Sequence, residues 1–238
     1  VLEYSIVWAL KSQNLFELFK QLKLNVPDIS KQYSTFTING SYLETKVRGQ
    51  HAFQLSLANK AIKMNDKRNS HTTIVDIGDS SGTHLKYLKS IHGEINAISV
   101  NSDPIAVEKI RSAGLNAIES RAELLNQNPD FNSEVDIFLS FEMLEHLLNP
   151  IDFLYQMSTK SNCKYFVITI PFLRKSRVGL HQLRNIRNKA DFNAERTHIF
   201  ELSDLDWNLI FNFSGWKVVY SKKYLQYPKF FPANLLKY

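Results

Sequence analysis

Residues 74–82, Ile-Val-Asp-Ile-Gly-Asp-Ser-Ser-Gly, carry an apolar run that ends in an acid and then turns through two glycines into helix-like text. Ile74, Val75 and Ile77 suit a strand buried on both faces, which is the environment of a parallel sheet rather than of a half-wet antiparallel one. Gly78 and Gly82 let the backbone turn sharply and approach a ligand, and Asp76 at the strand end can accept from ammonium or hydroxyl groups. The same short motif also serves any tight strand-to-helix turn, so its meaning depends on the rest of the chain.

The remaining sequence is repetitive in pattern. From residue 72 onward short apolar runs alternate with helical segments, the signature of successive βαβ units. The expected strands are Thr73–Ile77, Ile95–Val100, Asn116–Glu119, Val135–Ser140, Tyr165–Ile170 and Trp216–Ser221. Between them lie expected helices at Gly82–Ile91, Asp103–Ala113, Glu142–Leu148 and, restarted by Asn149-Pro150, on to Met157, with a last one at Ser203–Phe213. Asn149 suits a helix cap and Pro150 a first helical turn. The fold class is therefore α/β: a Rossmann-like, doubly wound, mostly parallel sheet with helices on both faces and an antiparallel last strand.

Ahead of this core, Leu2–Leu24 reads as amphipathic helix. Ser34–Ile38 and Ser41–Val47 alternate around Asn39-Gly40, a strong hairpin signal, and Gly49–Met64 reads as helix. The division is residues 1–70 as a helical cap with a small β-hairpin and 71–238 as the core. The core includes a basic lid at 171–198, where seven Lys and Arg residues face only Asp191 and Glu195. Nearly the whole net charge of +6 is concentrated there. The segment lacks the interleaved aromatics of a nucleic-acid stacking platform, so an anionic small acceptor or a solvated loop suits it better.

Composition narrows the setting. Cys163 is the single cysteine, which excludes an intrachain disulfide and a cysteine-based zinc cluster. No apolar run approaches the ~20 residues of a bilayer span, and a cytoplasmic location is expected. The aromatic, proline-bearing stretch Tyr224–Pro232 suits a homo-oligomer contact, a membrane-surface contact or a cover for the sheet edge, the last being preferred.

Taken in order, Asp76-Ile77-Gly78-Asp79-Ser80-Ser81-Gly82, a strand about twenty residues later, and Ser140-Phe141-Glu142-Met143-Leu144-Glu145-His146-Leu147 with Asn149-Pro150 resemble the class I S-adenosylmethionine-dependent methyltransferases. The group most like it comprises the ubiquinone-biosynthesis-like and related small-molecule enzymes. Thr197-His198-Ile199-Phe200 and Ser214-Gly215-Trp216 resemble the same families' closing elements, so the resemblance spans roughly residues 50–222. It implies methyl transfer to a small or carrier-linked, anionic acceptor, with oxygen the favoured atom. Independently, the spacing Gly78-x-x-x-Gly82 lacks the Gly-x-Gly-x-x-Gly that seats a dinucleotide pyrophosphate.

By that resemblance Asp76, Gly78, Ser80, Gly82, Asn101, Ala122 and Ser140 line the cofactor. Ser80 stands where the family has glycine, Asn101 where it has a ribose-binding acid, and Arg121 where it commonly has an adenine-facing acid. These departures keep open a non-catalytic binding or scaffold protein of the same fold; a nucleic-acid methyltransferase is the weaker alternative. His198, His146 and Glu142 are the catalytic candidates, an imidazole being suited to take a hydroxyl proton. Glu142, Glu145 and His146 fall on one face of the expected helix. The resemblance associates them with a divalent cation, but the preferred reading is that Glu142 lines the cofactor pocket while Glu145 and His146 brace the helix. Arg48 and His51 are candidates to hold an acceptor from the cap, and His84 and His92 are expected at the surface.

Overall fold

The computed structural model describes residues 2–33, 36–65, 72–178 and 198–228. The helical cap consists of α1 (Leu2–Ser12), α2 (Phe16–Asn25) and α3 (Ser41–Met64). The core follows as β1 (Thr72–Ile77), α4 (Thr83–His92), β2 (Ile95–Asn101), α5 (Pro104–Ser112), β3 (Asn116–Glu119), β4 (Ile137–Phe141), α6 (Pro150–Lys160) and β5 (Tyr165–Thr169). A short antiparallel pair, β6 (Arg177–Val178) with β7 (Phe200–Glu201), precedes α7 (Asp204–Phe213).

The five long strands form one parallel sheet in the order β3-β2-β1-β4-β5. Thr72 pairs with Ile95, and on the other side of β1 Ile74 pairs with Ile137. Chain order reverses between β1 and β4, and in open α/β sheets the crevice at the carboxyl ends of such a strand pair is where ligands bind. Side chains alternate across the sheet as strand geometry requires. Ile74, Ile137 and Leu139 join the core built with α1–α4, while Val75, Ile77 and Phe138 join the opposite core around Phe153 of α6 and Trp207 of α7. Both faces are covered, which is why the strands read as continuous apolar runs.

Three expectations need correction. The N-terminal helix is two helices, because Asn14 takes a left-handed conformation (φ 59°) between them. The hairpin at Asn39-Gly40 does not form: α3 already starts at Ser41, with Gly40 at φ 83° as its N-cap. A buried stripe through Thr45, Arg48, Ala52 and Leu55 runs down this helix, so helical burial outweighs a short alternating pattern. The antiparallel last strand is also missing, since residues 216–221 make no strand pairing among the described residues. Trp216 is held instead on α6, its Nε1 donating to the Leu154 carbonyl at 2.9 Å, with its ring 5.3 Å from that of Phe166. Most of the basic segment, residues 179–197, lies outside the described residues.

Candidate active site

The glycine turn closes the carboxyl end of β1. Gly78 donates its N–H to the Val100 carbonyl at 2.8 Å, tying the turn to β2. Both loop glycines need positive φ, 91° at Gly78 and 72° at Gly82, which starts α4. Each is also crowded: a Cβ on Gly78 would lie 2.9 Å from Met143 Cγ, and one on Gly82 3.0 Å from Leu115 Cδ1. Both positions therefore favour glycine for conformation, and Gly78 for space as well.

Beneath the turn lies a buried ionisable cluster. Asp76 Oδ2 and His84 Nδ1 are 3.0 Å apart, and Asp79 Oδ1 is 3.6 Å from the same nitrogen. His84, expected at the surface, is 7% exposed, because the first turn of α4 points it back at the strand end. His92 is likewise half-buried, 2.7 Å from Asn59 Oδ1. Burial alone would lower the His84 pKa, but the Asp76 charge and hydrogen bond, with Asp79 behind them, raise it. Burial, then the Asp76 charge, pushes Asp79 up to about 7.

His51 packs its ring edge-on to His84 at 5.0 Å and shares a 2.9 Å hydrogen bond with Gln32 Nε2. Burial, then the neighbouring His84 and Arg48 charges, holds its pKa well below the usual histidine range. Ser81 Oγ donates to the Gln32 carbonyl, so the cap is fastened directly onto the glycine turn.

Arg48 does something other than hold an acceptor. Fully buried, its guanidinium donates to the carbonyls of Leu22, Val26 and Pro27, to the Tyr87 hydroxyl and to Glu44. The whole donor fork is engaged, and it ties the last turn of α2 and the Val26-Pro27 exit from that helix onto α3. His51 is the cap residue that reaches the cluster; Arg48 anchors the cap.

The second half of the site stands at the end of β4. Glu142–Leu148 is not a helix, so the shared helical face expected there is absent. Glu142 adopts φ 53° while its N–H still pairs with the Thr169 carbonyl at 2.9 Å, extending the ladder to β5. Only one 3₁₀ turn, Leu144–His146, fits before Asn149 caps α6 by accepting from Asp152 N at 3.1 Å. The result separates Glu142 from His146 and brings in His198, whose ring is 4.7 Å from that of His146 and nearly perpendicular to it. His198 Nδ1 lies 3.5 Å from Glu201 Oε1, and Glu201 is held by Arg177 Nε at 2.5 Å.

Glu145 is 1% exposed, and neither carboxylate oxygen has a hydrogen-bond partner among the described residues. Burial, then the Glu142 charge, raises its pKa well above the carboxylate range. One ligand atom each from Glu145, His146 and His198 lies within 4.8 Å of the others, so the residues that could converge on a cation include His198 in place of Glu142.

These features bear on whether the cofactor that the resemblance implies would fit. Four buried polar atoms around the glycine turn have no hydrogen-bond partner among the described residues: Gln32 Oε1, His51 Nδ1, Asp79 Oδ2 and His84 Nε2. Buried polar groups are ordinarily satisfied, so this set suits a charged amino-acid end. Asn101 fits a ribose less well, because its amide is engaged, donating to the Asp79 carbonyl at 2.9 Å and accepting from Asp103 N at 2.8 Å. Ala122 opens the 3₁₀ turn after β3 and packs on the second core, and Ser140 Oγ is fully buried without a hydrogen-bond partner among the described residues.

Comparison with solved structures bears on the fold. The plantazolicin methyltransferase BpumL, solved with a pentazolic desmethylPZN analog and SAH, superposes with a TM-score of 0.50 at 13% identity, over 89% of this chain and 75% of that one. The fold is that of the class I methyltransferases. A SAM-dependent methyltransferase from Archaeoglobus fulgidus matches at 18% identity with a TM-score of 0.48, over 70% of this chain and 68% of that one. A methyltransferase structure from Bacillus halodurans matches at 13% identity and a TM-score of 0.47, over 68% of each chain. No protein-family model matches the sequence, and no curated protein does. Among the described residues no helix is long and apolar enough to cross a membrane.

Proposed function

We propose that the chain is an S-adenosylmethionine-dependent methyltransferase that methylates an oxygen of a small or carrier-linked, anionic acceptor. The observation that carries this reading is the meeting, at the carboxyl ends of adjacent strands β1 and β4, of the Asp76 glycine turn with Glu142, His146 and His198. When bound, S-adenosylmethionine supplies an electrophilic methyl group on a sulfonium. The chain's own contribution is placement and proton removal, which is most of what such a displacement needs.

Asp76 and the glycine turn hold the donor's amino-acid end, with Ser80 and Ser140 along its length. His198, oriented by Glu201, takes the acceptor hydroxyl proton as the oxygen–methyl bond forms and the sulfur–methyl bond breaks. A base steadied by a carboxylate is a recurrent arrangement for this purpose. Calorimetric titration with S-adenosylmethionine tests the placement: Asp76→Ala should abolish binding, and an unchanged affinity overturns it.

The locked amide of Asn101 favours a second reading, in which the fold binds a ligand without turning it over. Release of S-adenosylhomocysteine in the presence of an acceptor separates the two.

A further inference from the structure

Because Trp216 draws the C-terminal segment onto α6, the outer edge of β5 is left beside a cavity of about 730 Å³. One wall is α3, with Phe53 and Leu57. The other comprises Ile170 and Phe172 beyond β5, Phe211 of α7 and Trp216. Glu142 and His198 belong to the same lining, so the cavity is continuous with the candidate active site. A volume of this size suits a drug-sized ligand rather than a compact metabolite.

Charge around the cavity is one-sided. Exposed Lys164, Lys217, Lys222 and Lys223 stand in its lining. Lys223 is committed, 3.1 Å from Asp204 Oδ2 and 3.8 Å above the Phe172 ring. Lys164, Lys217 and Lys222 make no ion pair with an acid among the described residues. Among the described residues the acids in the lining are Glu142, whose pKa burial raises, and that same Asp204. A cationic ligand would be repelled, and a neutral one would leave the lysines unused.

We infer that this cavity binds an elongated amphiphilic anion, with its apolar or aromatic body between α3 and α7, its acid group at the lysines and its reacting hydroxyl toward Glu142 and His198. As an assignment of the acceptor class, this rests on the methyl-transfer reading; as a binding site, it stands on the cavity alone.

The test uses two probes that share a ring system, 8-anilinonaphthalene-1-sulfonate and its uncharged counterpart N-phenyl-1-naphthylamine. Trp207 and Trp216 line the cavity and Trp8 does not. In a Trp8→Phe background, energy transfer from tryptophan to bound probe therefore reports occupancy. The sulfonate should bind about tenfold tighter than the neutral probe at low salt. It should be displaced by dodecanoate but not by dodecyltrimethylammonium, and Lys164→Glu with Lys217→Glu should erase the preference. Leu57→Trp should weaken both probes about tenfold. The lysine changes are on exposed side chains and carry the test if Leu57→Trp fails to fold by circular dichroism.

Equal affinity for the two probes, or a preference that survives the lysine changes, overturns the inference. Titration with S-adenosylmethionine runs alongside. Probe binding without it removes the methyl-transfer reading and leaves the cavity assignment, and the converse result does the opposite.

Discussion

The carboxylate of Asp76 and the imidazole of His84 meet at 3.0 Å in a buried position, with Asp79 3.6 Å from the same ring nitrogen. Both His84 and Asp79 bind their protons more tightly folded than unfolded. The stabilisation from His84 is therefore complete below its unfolded pKa and is lost as pH rises through the folded value. Asp79 acts in the same direction, costing stability as pH climbs from 3.8 to about 7. The melting temperature should fall across neutrality. Asp79→Asn keeps the shape of the protonated acid and should flatten that fall, raising the melting temperature at pH 8 by about 2–4 °C per kcal/mol recovered. An unaltered slope would place the titration in another group.

Arg48 should behave as the anchor of the cap. Arg48→Ala leaves the Val26 and Pro27 carbonyls without the donor seen here and takes the near partner from Glu44, and about 1–3 kcal/mol accompanies each buried acceptor left unsatisfied. Urea unfolding should register a drop of that order. Lysine has one donor centre where arginine has a fork, so Arg48→Lys should recover less than half of it. Where either variant remains folded, its calorimetric affinity for S-adenosylmethionine should match the parent; selective loss of affinity with stability intact would return Arg48 to the binding site.

How much of the fold and site is legible in the sequence depends on the range of the interaction responsible. β1 to β5 follow from local apolar runs and turn residues, and each forms within two residues of its expected position. The segment around Asn39-Gly40 carries a valid hairpin signal, yet its C-terminal flank, Ser41–Val47, is worth more buried as helix against α1 and α2. Glu142–Leu148 carries helical spacing, but the β4–β5 ladder holds Glu142 in place and Asn149-Pro150 restarts the chain too soon. His84 reads as a surface residue because nothing local shows that α4 turns its first residues back onto Asp76. Gln32, Asp79 and Glu201 escape a sequence reading because each matters only through partners distant in sequence or across a turn. Of the three, only Asp79 carries a local signal, as an acid within the glycine turn itself.

Glu145 offers a test of its charge state. With neither oxygen hydrogen-bonded among the described residues and its pKa raised by burial and then by Glu142, its native form holds a proton well above the usual range. The resulting penalty grows as pH rises from its unfolded pKa toward the folded one. Glu145→Gln should therefore be neutral in acid and stabilising at pH 8, as read by thermal melts. A Glu145→Gln variant less stable at pH 8 than the parent would mean that the carboxylate is ionised and held by a cation or by His146.

The two requirements on Gly78 can be separated using Gly93. Both have positive φ, 91° and 61°, but a Cβ on Gly93 would meet nothing within 4 Å, whereas one on Gly78 meets Met143 Cγ at 2.9 Å. Gly93→Ala should cost only the conformational part, about 1–3 kcal/mol because its φ 61°, ψ −73° lies outside the left-handed helical region, and leave S-adenosylmethionine affinity unchanged. Gly78→Ala should cost more, with about 1–3 kcal/mol typical of an added overpacking term, and should weaken the cofactor by displacing the turn. Adding Met143→Ala to Gly78→Ala removes the clashing atom, so the double variant should regain part of its affinity despite the cavity left behind. If it regains none, the loss belongs to the backbone conformation of the turn rather than to its contact with Met143.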